Sequence, residues 1–167
     1  DFVVSGEHVY AVREDHQGDG EVTNQLVRLS LDGSEEVVVL DAGHDFVGAP
    51  RVSPDGTRLA WITWDHPNMP WDESSLWVAR IVDDGITDTT RAAGSVGESV
   101  SEPTWLPDGE LLYLSDRTGW WNIYRLDSSS PVVVMDADLG APLWFLGLRS
   151  FDAFDDGHGR LVRRRVF

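Results

Sequence analysis

The sequence predicts an all-β chain that forms a partial β-propeller, with about three four-stranded antiparallel blades followed by half of a fourth. One observation is a repeated unit with a period near 50 residues, the size of a four-stranded propeller blade. A second is that short β-rich runs alternate with turn signals, whereas no window has the apolar spacing of a long amphipathic helix. With 167 residues, 41% of them hydrophobic, the chain is long and apolar enough for one sizeable core.

The repeated unit is clearest in two places. Residues 50–56 (PRVSPDG) precede the apolar run LAWI, and residues 103–109 (PTWLPDG), 53 positions later, precede the run LLYL. An Asp-Gly pair between two β-rich runs is typical of a tight hairpin, because glycine accepts the positive φ that such turns require. Weaker copies lie on either side, so the sequence marks equivalent turns at Gly6, Gly56, Gly109 and Gly157.

Each unit continues with a third and a fourth β-rich run. The third runs are residues 25–29, 76–79 and 122–126, and the fourth runs are residues 36–40, 89–92 and 132–135. We therefore expect one propeller fragment over residues 1–167, with blades at about 1–48, 49–101 and 102–140 and a partial blade at 141–167.

The number of blades has a structural consequence. A propeller closes with about four to eight blades, so a chain of this length leaves strand edges unpaired. We expect these edges either to meet the remaining blades of a longer parent protein or to support self-association.

Charge and composition exclude several classes of function. The chain has 13 basic residues, all of them Arg, and 29 acidic residues, which gives a net charge of −16. Such a chain is not expected to bind nucleic acid or an anionic membrane. No apolar run approaches the 18 residues of a membrane-spanning helix, and with no Cys and no visible export segment we expect a cytoplasmic location.

The sequence also predicts neither a metal site nor a cofactor. The absence of Cys excludes a thiolate zinc site and a Cys nucleophile. The five His residues lack the spacing of metal ligands, and no phosphate-binding motif follows a strand.

Four stretches resemble known propeller sequences. Residues 50–61 (PRVSPDGTRLAW) resemble the TolB-type, WD40-like propeller repeat. Residues 64–72 (WDHPNMPWD), and residues 98–105 (ESVSEPTW) together with 115–125 (SDRTGWWNIYR), resemble the propeller of prolyl-oligopeptidase-family (S9) serine peptidases. Within that family they are most similar to the dipeptidyl aminopeptidase/acylaminoacyl peptidase branch.

The resemblance implies a parent enzyme in which the propeller precedes an α/β-hydrolase domain. That domain would carry a Ser–Asp–His triad with its Ser in a G-x-S-x-G motif. This sequence has no such motif, since residues 97–101 (GESVS) lack the closing Gly. We therefore assign no catalytic residue to this chain. Its implied partners are its own hydrolase domain, the remaining blades and short peptide substrates.

Candidate binding residues lie on one face of the predicted propeller. Strands alternate in direction within a blade, so the loop between its second and third strands shares a face with the connection to the next blade. Long loops on a rigid scaffold tend to carry binding functions. The candidates that we expect to face the substrate or the hydrolase domain are Trp64, Asp65, His66, Asn68, Trp71, Asp72 and Glu98.

Other interpretations remain open for these residues. The two Trp side chains can pack against neighbouring blades while the polar groups hold the backbone of their own loop. Glu98 and Glu102 can bind the amino group of a peptide, or they can simply be solvated. Asp116-Arg117 can form an ion pair that ties blades together. For the whole chain, a TolB-like protein-binding module without enzymatic activity is the alternative to a peptidase propeller that gates and helps select peptides.

Overall fold

The computed structural model describes residues 1–16, 22–34, 36–128, 130–145, 147–155 and 160–164. Within these ranges the chain forms β-strands and no helix. The strands are β1 (Phe2–Ser5), β2 (His8–Asp15), β3 (Thr23–Ser30), β4 (Val38–Asp41), β5 (Phe46–Val52), β6 (Arg58–Trp64), β7 (Ser75–Val82), β8 (Gly85–Ala93), β9 (Val100–Trp105), β10 (Leu111–Ser115), β11 (Asn122–Arg125), β12 (Phe151–Asp155) and β13 (Arg160–Arg164).

The strands form four antiparallel sheets in the order of the sequence. The first two sheets have four strands each, in the orders β1-β2-β3-β4 and β5-β6-β7-β8. The third has the order β11-β10-β9, and the last is the β12–β13 hairpin. Successive meanders of this kind are the blades of a propeller, which confirms the predicted all-β fold.

The third sheet lacks the regular fourth strand that the sequence predicts at residues 132–135. The chain does run along β11, where Pro131 bridges Tyr124 and the amide of Val132 donates to the Ile123 carbonyl at 2.6 Å. Pro131 has no amide hydrogen to donate. Further along, the Asn122 side chain replaces a backbone partner, accepting from the Met135 amide at 3.1 Å and donating to the Met135 carbonyl at 3.0 Å. The backbone ladder is interrupted for these two reasons.

The predicted hairpin turn at Gly56 shows why the repeat has its sequence. Gly56 has a φ of 73°, which glycine adopts without strain. One oxygen of the Asp55 carboxylate accepts from the Ser53 hydroxyl at 2.6 Å and from the Thr57 amide at 3.1 Å. These hydrogen bonds lower the pKa of Asp55 to about 2, with the bond from Ser53 as the largest cause. Gly157 lies outside the described residues.

The core lies between the faces of neighbouring sheets. Leu26 from the first sheet and Trp61 from the second are fully buried in one cluster. Ile62 from the second sheet and Tyr113 and Tyr124 from the third are buried in the next cluster. The second and third sheets thus each bury one face against the sheet before and the other against the sheet after, which sets the rigid spacing of the loops.

A bulge recurs in the first strands of the second and third sheets, β5 and β9. Ala49 and Glu102 both have a φ of 51°, and the strand register shifts at each position. The side chain of Asp1 accepts from the Ala49 amide at 3.0 Å, and that of Glu102 accepts from the Ser150 amide at 2.5 Å. At both bulges, a carboxylate from one sheet thus accepts a hydrogen bond from a backbone amide in the next part of the chain.

Candidate functional site

The connections of the sheets emerge on two opposite faces. The first, which we name the loop face, consists of the described residues that follow β2, β6 and β10 and of residues 42–45, 94–99, 142–145 and 147–150 between sheets. The opposite face, named the hairpin face, consists of the turns after β1, β5, β7 and β9 and of residues 31–34, 36 and 37 after β3. Contacts join the segments of the loop face to one another. Asn24 donates to the Asp45 carbonyl at 2.7 Å, and the Ser74 amide donates to the Glu98 carbonyl at 3.0 Å.

The candidate loop begins at the end of β6 with two aromatic contacts. The indole of Trp64 stacks on the ring of Phe46, with 5.2 Å between centroids and 10° between planes. The His66 ring lies against the same Phe46 ring at 5.0 Å. Trp64 is half-buried against the core of the second and third sheets. Its role in this structure is therefore to pack the root of the loop.

Two His–Asp pairs cross between this loop and the segment that precedes β5. The Asp65 carboxylate accepts from the Asp45 amide at 2.7 Å and lies 2.8 Å from Nδ1 of His44. The Asp45 carboxylate accepts from the His66 amide at 2.8 Å and lies 3.1 Å from Nδ1 of His66. The bonds from His66 lower the pKa of Asp45, so this carboxylate stays ionised to lower pH. The crossed pairs extend the β5–β6 pairing beyond its last strand residues.

The second half of the loop is a turn held by its own groups. The Asn68 amide donates to the Asp65 carbonyl at 3.0 Å. The Asp72 carboxylate accepts from the Met69 amide at 3.0 Å, and the Asp72 amide donates to the Met69 carbonyl at 2.9 Å. The polar groups of Asp65, His66 and Asp72 thus fix backbone, which is the arrangement that the alternative interpretation of the sequence describes.

Trp71 at the end of this loop belongs to an exposed aromatic surface. Its ring lies 4.5 Å from that of Trp144, which precedes β12 in the connection from the third sheet. Trp144 is 65% exposed and the adjacent Phe145 is 76% exposed. We name Trp71, Trp144 and Phe145 the aromatic cluster. Two of its members, Trp144 and Phe145, were not among the sequence candidates.

Glu98 is placed differently from either interpretation of its sequence. Only 8% of the residue is exposed, and its carboxylate accepts from the hydroxyls of Ser115 at 2.6 Å and Ser95 at 2.9 Å. Nε of Arg117 lies 3.1 Å from the same carboxylate, and the guanidinium lies over the Tyr124 ring at 4.2 Å. Glu98 is therefore a buried, paired carboxylate rather than a solvated one, because serine hydroxyls and a guanidinium replace its water.

Glu102 is also buried and holds structure. It is 3% exposed, and its carboxylate accepts from the hydroxyl of Ser150 at 2.7 Å in addition to the amide of that residue. Burial raises the pKa of Glu102, and the hydrogen bonds from Ser150 oppose that rise. Ser150 directly precedes β12, so the Glu102 carboxylate binds the segment that enters the fourth sheet. It is therefore not free for the amino group of a peptide.

A cavity opens beside the crossed His–Asp pairs. It has a volume of about 350 Å³, and its wall includes Glu14, His16, Asn24, Asp45 and His66 around the Phe46 ring. Its lining combines acidic and polar side chains with the aromatic ring of Phe46. Within the part of the chain that the structure describes, no three His, Asp or Glu side chains are grouped as metal ligands.

Comparison with known structures identifies the scaffold. A puromycin hydrolase superposes with a TM-score of 0.83 at 36% sequence identity, covering 91% of this chain and 25% of that chain. A puromycin-hydrolyzing peptidase of Mycobacterium tuberculosis gives 0.83 at 34% identity, covering 94% of this chain and 26% of that chain. The β-propeller domain of the Trilobed protease from Pyrococcus furiosus, at 18% identity and a TM-score of 0.57, shares the fold over 97% of this chain and 46% of that chain.

This chain is a β-propeller portion of the prolyl oligopeptidase (S9) family. It spans about a quarter of the length of the puromycin-hydrolysing relatives that it matches. No protein-family model and no curated protein sequence matches it. Among the described residues of this S9 propeller portion, no helix is long and apolar enough to cross a membrane. The loop face described above is thus one surface of an S9 propeller.

Proposed function

We propose that this S9 propeller portion gates an α/β-hydrolase domain of its parent protein and helps to select the peptides that reach it. The parent would belong to the dipeptidyl aminopeptidase/acylaminoacyl peptidase branch that the sequence resembles. The observation that carries the proposal is the aromatic cluster on the loop face, where Trp71 of the loop after β6 contacts the exposed Trp144 of the connection before β12. On the hairpin face, by contrast, the strands are joined mostly by short turns.

The architecture of the loop favours recognition. The crossed His–Asp pairs and the Asp72 turn hold the loop in one conformation, so little conformational entropy is lost when a peptide or a domain binds. Large exposed aromatic residues mark surfaces that meet another molecule, and Trp144 and Phe145 are such residues. The net charge of −16 would attract the cationic amino terminus of a short peptide.

The chemistry would belong to the hydrolase domain. In acyl transfer by a serine hydrolase, the Ser attacks the carbonyl carbon, a His accepts the Ser proton and an oxyanion hole stabilises the tetrahedral intermediate. This chain contributes no G-x-S-x-G nucleophile, so its contribution would be to position and exclude substrates. Two matching structures bear the names puromycin hydrolase and puromycin-hydrolyzing peptidase, which makes puromycin a candidate substrate of the parent.

The proposal is tested in the full-length parent protein. Replacing both Trp144 and Phe145 by Ala should raise the KM for dipeptide and tripeptide anilides and for puromycin by about tenfold, the factor that corresponds to 1.4 kcal/mol of lost binding. The matched control is Leu31→Ala, which removes a 56% exposed apolar side chain from the hairpin face. An unchanged KM in the double variant across all these substrates would overturn the proposal.

A further inference from the structure

A second recess lies on the hairpin face, away from the proposed substrate side. It is a groove of about 580 Å³ between the first and second sheets. The turn at Gly6, the turn at Gly56 and the β7–β8 turn at Val82–Asp83 form its borders. No part of the loop face contributes to it.

Arg28 of β3 lies in the wall of this groove and is only 6% exposed. Its guanidinium donates to two neutral carbonyl oxygens, that of Val82 at 3.1 Å and that of Asp83 at 2.6 Å. Its Nε is buried and has no hydrogen-bond partner among the described residues. The arginine thus binds the first sheet to the second with a positive charge that no carboxylate neutralises within the described chain.

This arrangement is exceptional for the molecule. Among the described side chains only two arginines are buried, and the other one, Arg51, lies 3.6 Å from the carboxylate of Asp1. A buried guanidinium without a counter-charge loses hydration that neutral carbonyls replace only in part. In a chain with 29 acidic residues, a cation buried without a carboxylate partner marks a place where an external anion would be stabilised.

The remaining wall favours one type of anion. Tyr10 lies beside the guanidinium, and burial raises the pKa of Tyr10, so its hydroxyl stays protonated at neutral pH. Ser5 and His8 add polar groups, and Ile81 adds an apolar one. Asp83 lies at the border and would repel a dianion more than a monoanion. The volume exceeds that of a bare ion and lies within the range of small-molecule sites.

We propose that this groove binds the carboxylate of a small organic monoanion, with Arg28 as the cation that neutralises it. The guanidinium is suited to the purpose because Nη1 and Nη2, which each donate one N–H to a carbonyl, each keep a second N–H that can donate to a carboxylate. The apolar part of the ligand would lie along Ile81 and Tyr10. This site is separate from the proposed peptide-selecting face and does not depend on it.

The test uses isothermal titration calorimetry of the 167-residue chain at low salt, with phenylacetate as the probe. We expect saturable binding of one phenylacetate per chain, at least about tenfold tighter than neutral phenylacetamide, the loss typical of a charge-assisted hydrogen bond. Inorganic phosphate should bind more weakly than phenylacetate. Equal binding of the amide, tighter binding of phosphate, or no phenylacetate binding in the millimolar range would each overturn the proposal.

Variants place the binding in the groove. Arg28→Met should abolish phenylacetate binding, whereas Arg58→Met, which removes another arginine that donates to a carbonyl of the next sheet, should not. Because Arg28 also joins two sheets, a second pair of variants leaves it in place. Ser5→Glu brings a competing carboxylate to the groove and should abolish binding, while the neutral Ser5→Gln should retain it. Equal phenylacetate binding by these two Ser5 variants would contradict the site.

Discussion

Nε of Arg117 lies 3.1 Å from the Glu98 carboxylate, and this pair joins the segment before β9 to the loop after β10. Only 10% of the Glu98 side chain is exposed, so the charges are well shielded from water. Glu98→Gln should therefore lower the free energy of unfolding by about 2 kcal/mol, because it leaves a half-buried guanidinium without its counter-charge. Urea denaturation measures this loss.

The exposed pair between Arg125 and Glu110 is the matched control for that variant. Its two atoms are also 3.1 Å apart, but its side chains are 46% and 44% exposed. Glu110→Gln should cost less than about 0.5 kcal/mol, since water screens the exposed pair. Equal losses for the two variants would show that burial does not set the strength of the Glu98 pair.

The turn at Asp55 predicts a pH dependence. Its pKa in the folded chain is about 2, below that of an unfolded Asp. A lowered pKa means that the stabilisation is present above about pH 4 and is lost as the pH falls toward 2. The melting temperature of Asp55→Asn should therefore lie below that of the native chain at pH 6, and the gap should close as the pH approaches 2. A gap in melting temperature that stays constant with pH would contradict this explanation. The control is Asp84→Asn, which makes the same change in another turn of the hairpin face.

Ala49 tests the recurrent bulge. Its φ of 51° strains an alanine by about 1 kcal/mol. A change to glycine relieves this strain, and the relief offsets the cost of the greater backbone entropy lost on folding and of the missing buried methyl group. Ala49→Gly should change the free energy of unfolding by less than about 0.5 kcal/mol. Ala60→Gly, at a fully buried alanine of β6 without a positive φ, should cost about 1.5 kcal/mol. Equal losses in urea denaturation would remove the strain argument.

The crossed His–Asp pairs predict a local effect on the candidate loop. Asp45→Ala removes the acceptor of the His66 amide and of its ring nitrogen, so the amides of His66, Asn68 and Met69 should exchange with solvent faster. Hydrogen exchange followed by mass spectrometry measures the change. Asp84→Ala, in the β7–β8 turn on the hairpin face, should leave this loop unaffected. Unchanged exchange in Asp45→Ala would show that other contacts hold the loop.

The parts of the fold that depend on local chemistry could be predicted from the sequence. The turns at Gly6, Gly56 and Gly109 follow from a positive φ next to short β-rich runs, and the period then implies the blades. The regular strand at residues 132–135 was predicted wrongly because the Asn122 side chain substitutes for backbone there. Side-chain competition of this kind between distant segments leaves no mark in a window of sequence.

The candidate site could be predicted only in outline. Strand alternation predicts that residues 64–72 form a loop on one face. It does not predict the contacts between Asp45 and His66, because these require two separate segments to meet in space. The burial of Glu98 depends on Ser115 and Arg117, which arrive from another strand. The groove at Arg28 was not predicted, because its arginine and its carbonyl partners lie in different sheets.

We propose that the loop face meets the hydrolase domain and its peptide. The most direct measurement is photo-crosslinking in the full-length parent, with a benzophenone amino acid placed at position 144 on the loop face or at position 31 on the hairpin face. We predict crosslinks from position 144 to the hydrolase domain or to a bound peptide, and none from position 31. Crosslinks to either of them from position 31 alone would contradict the account.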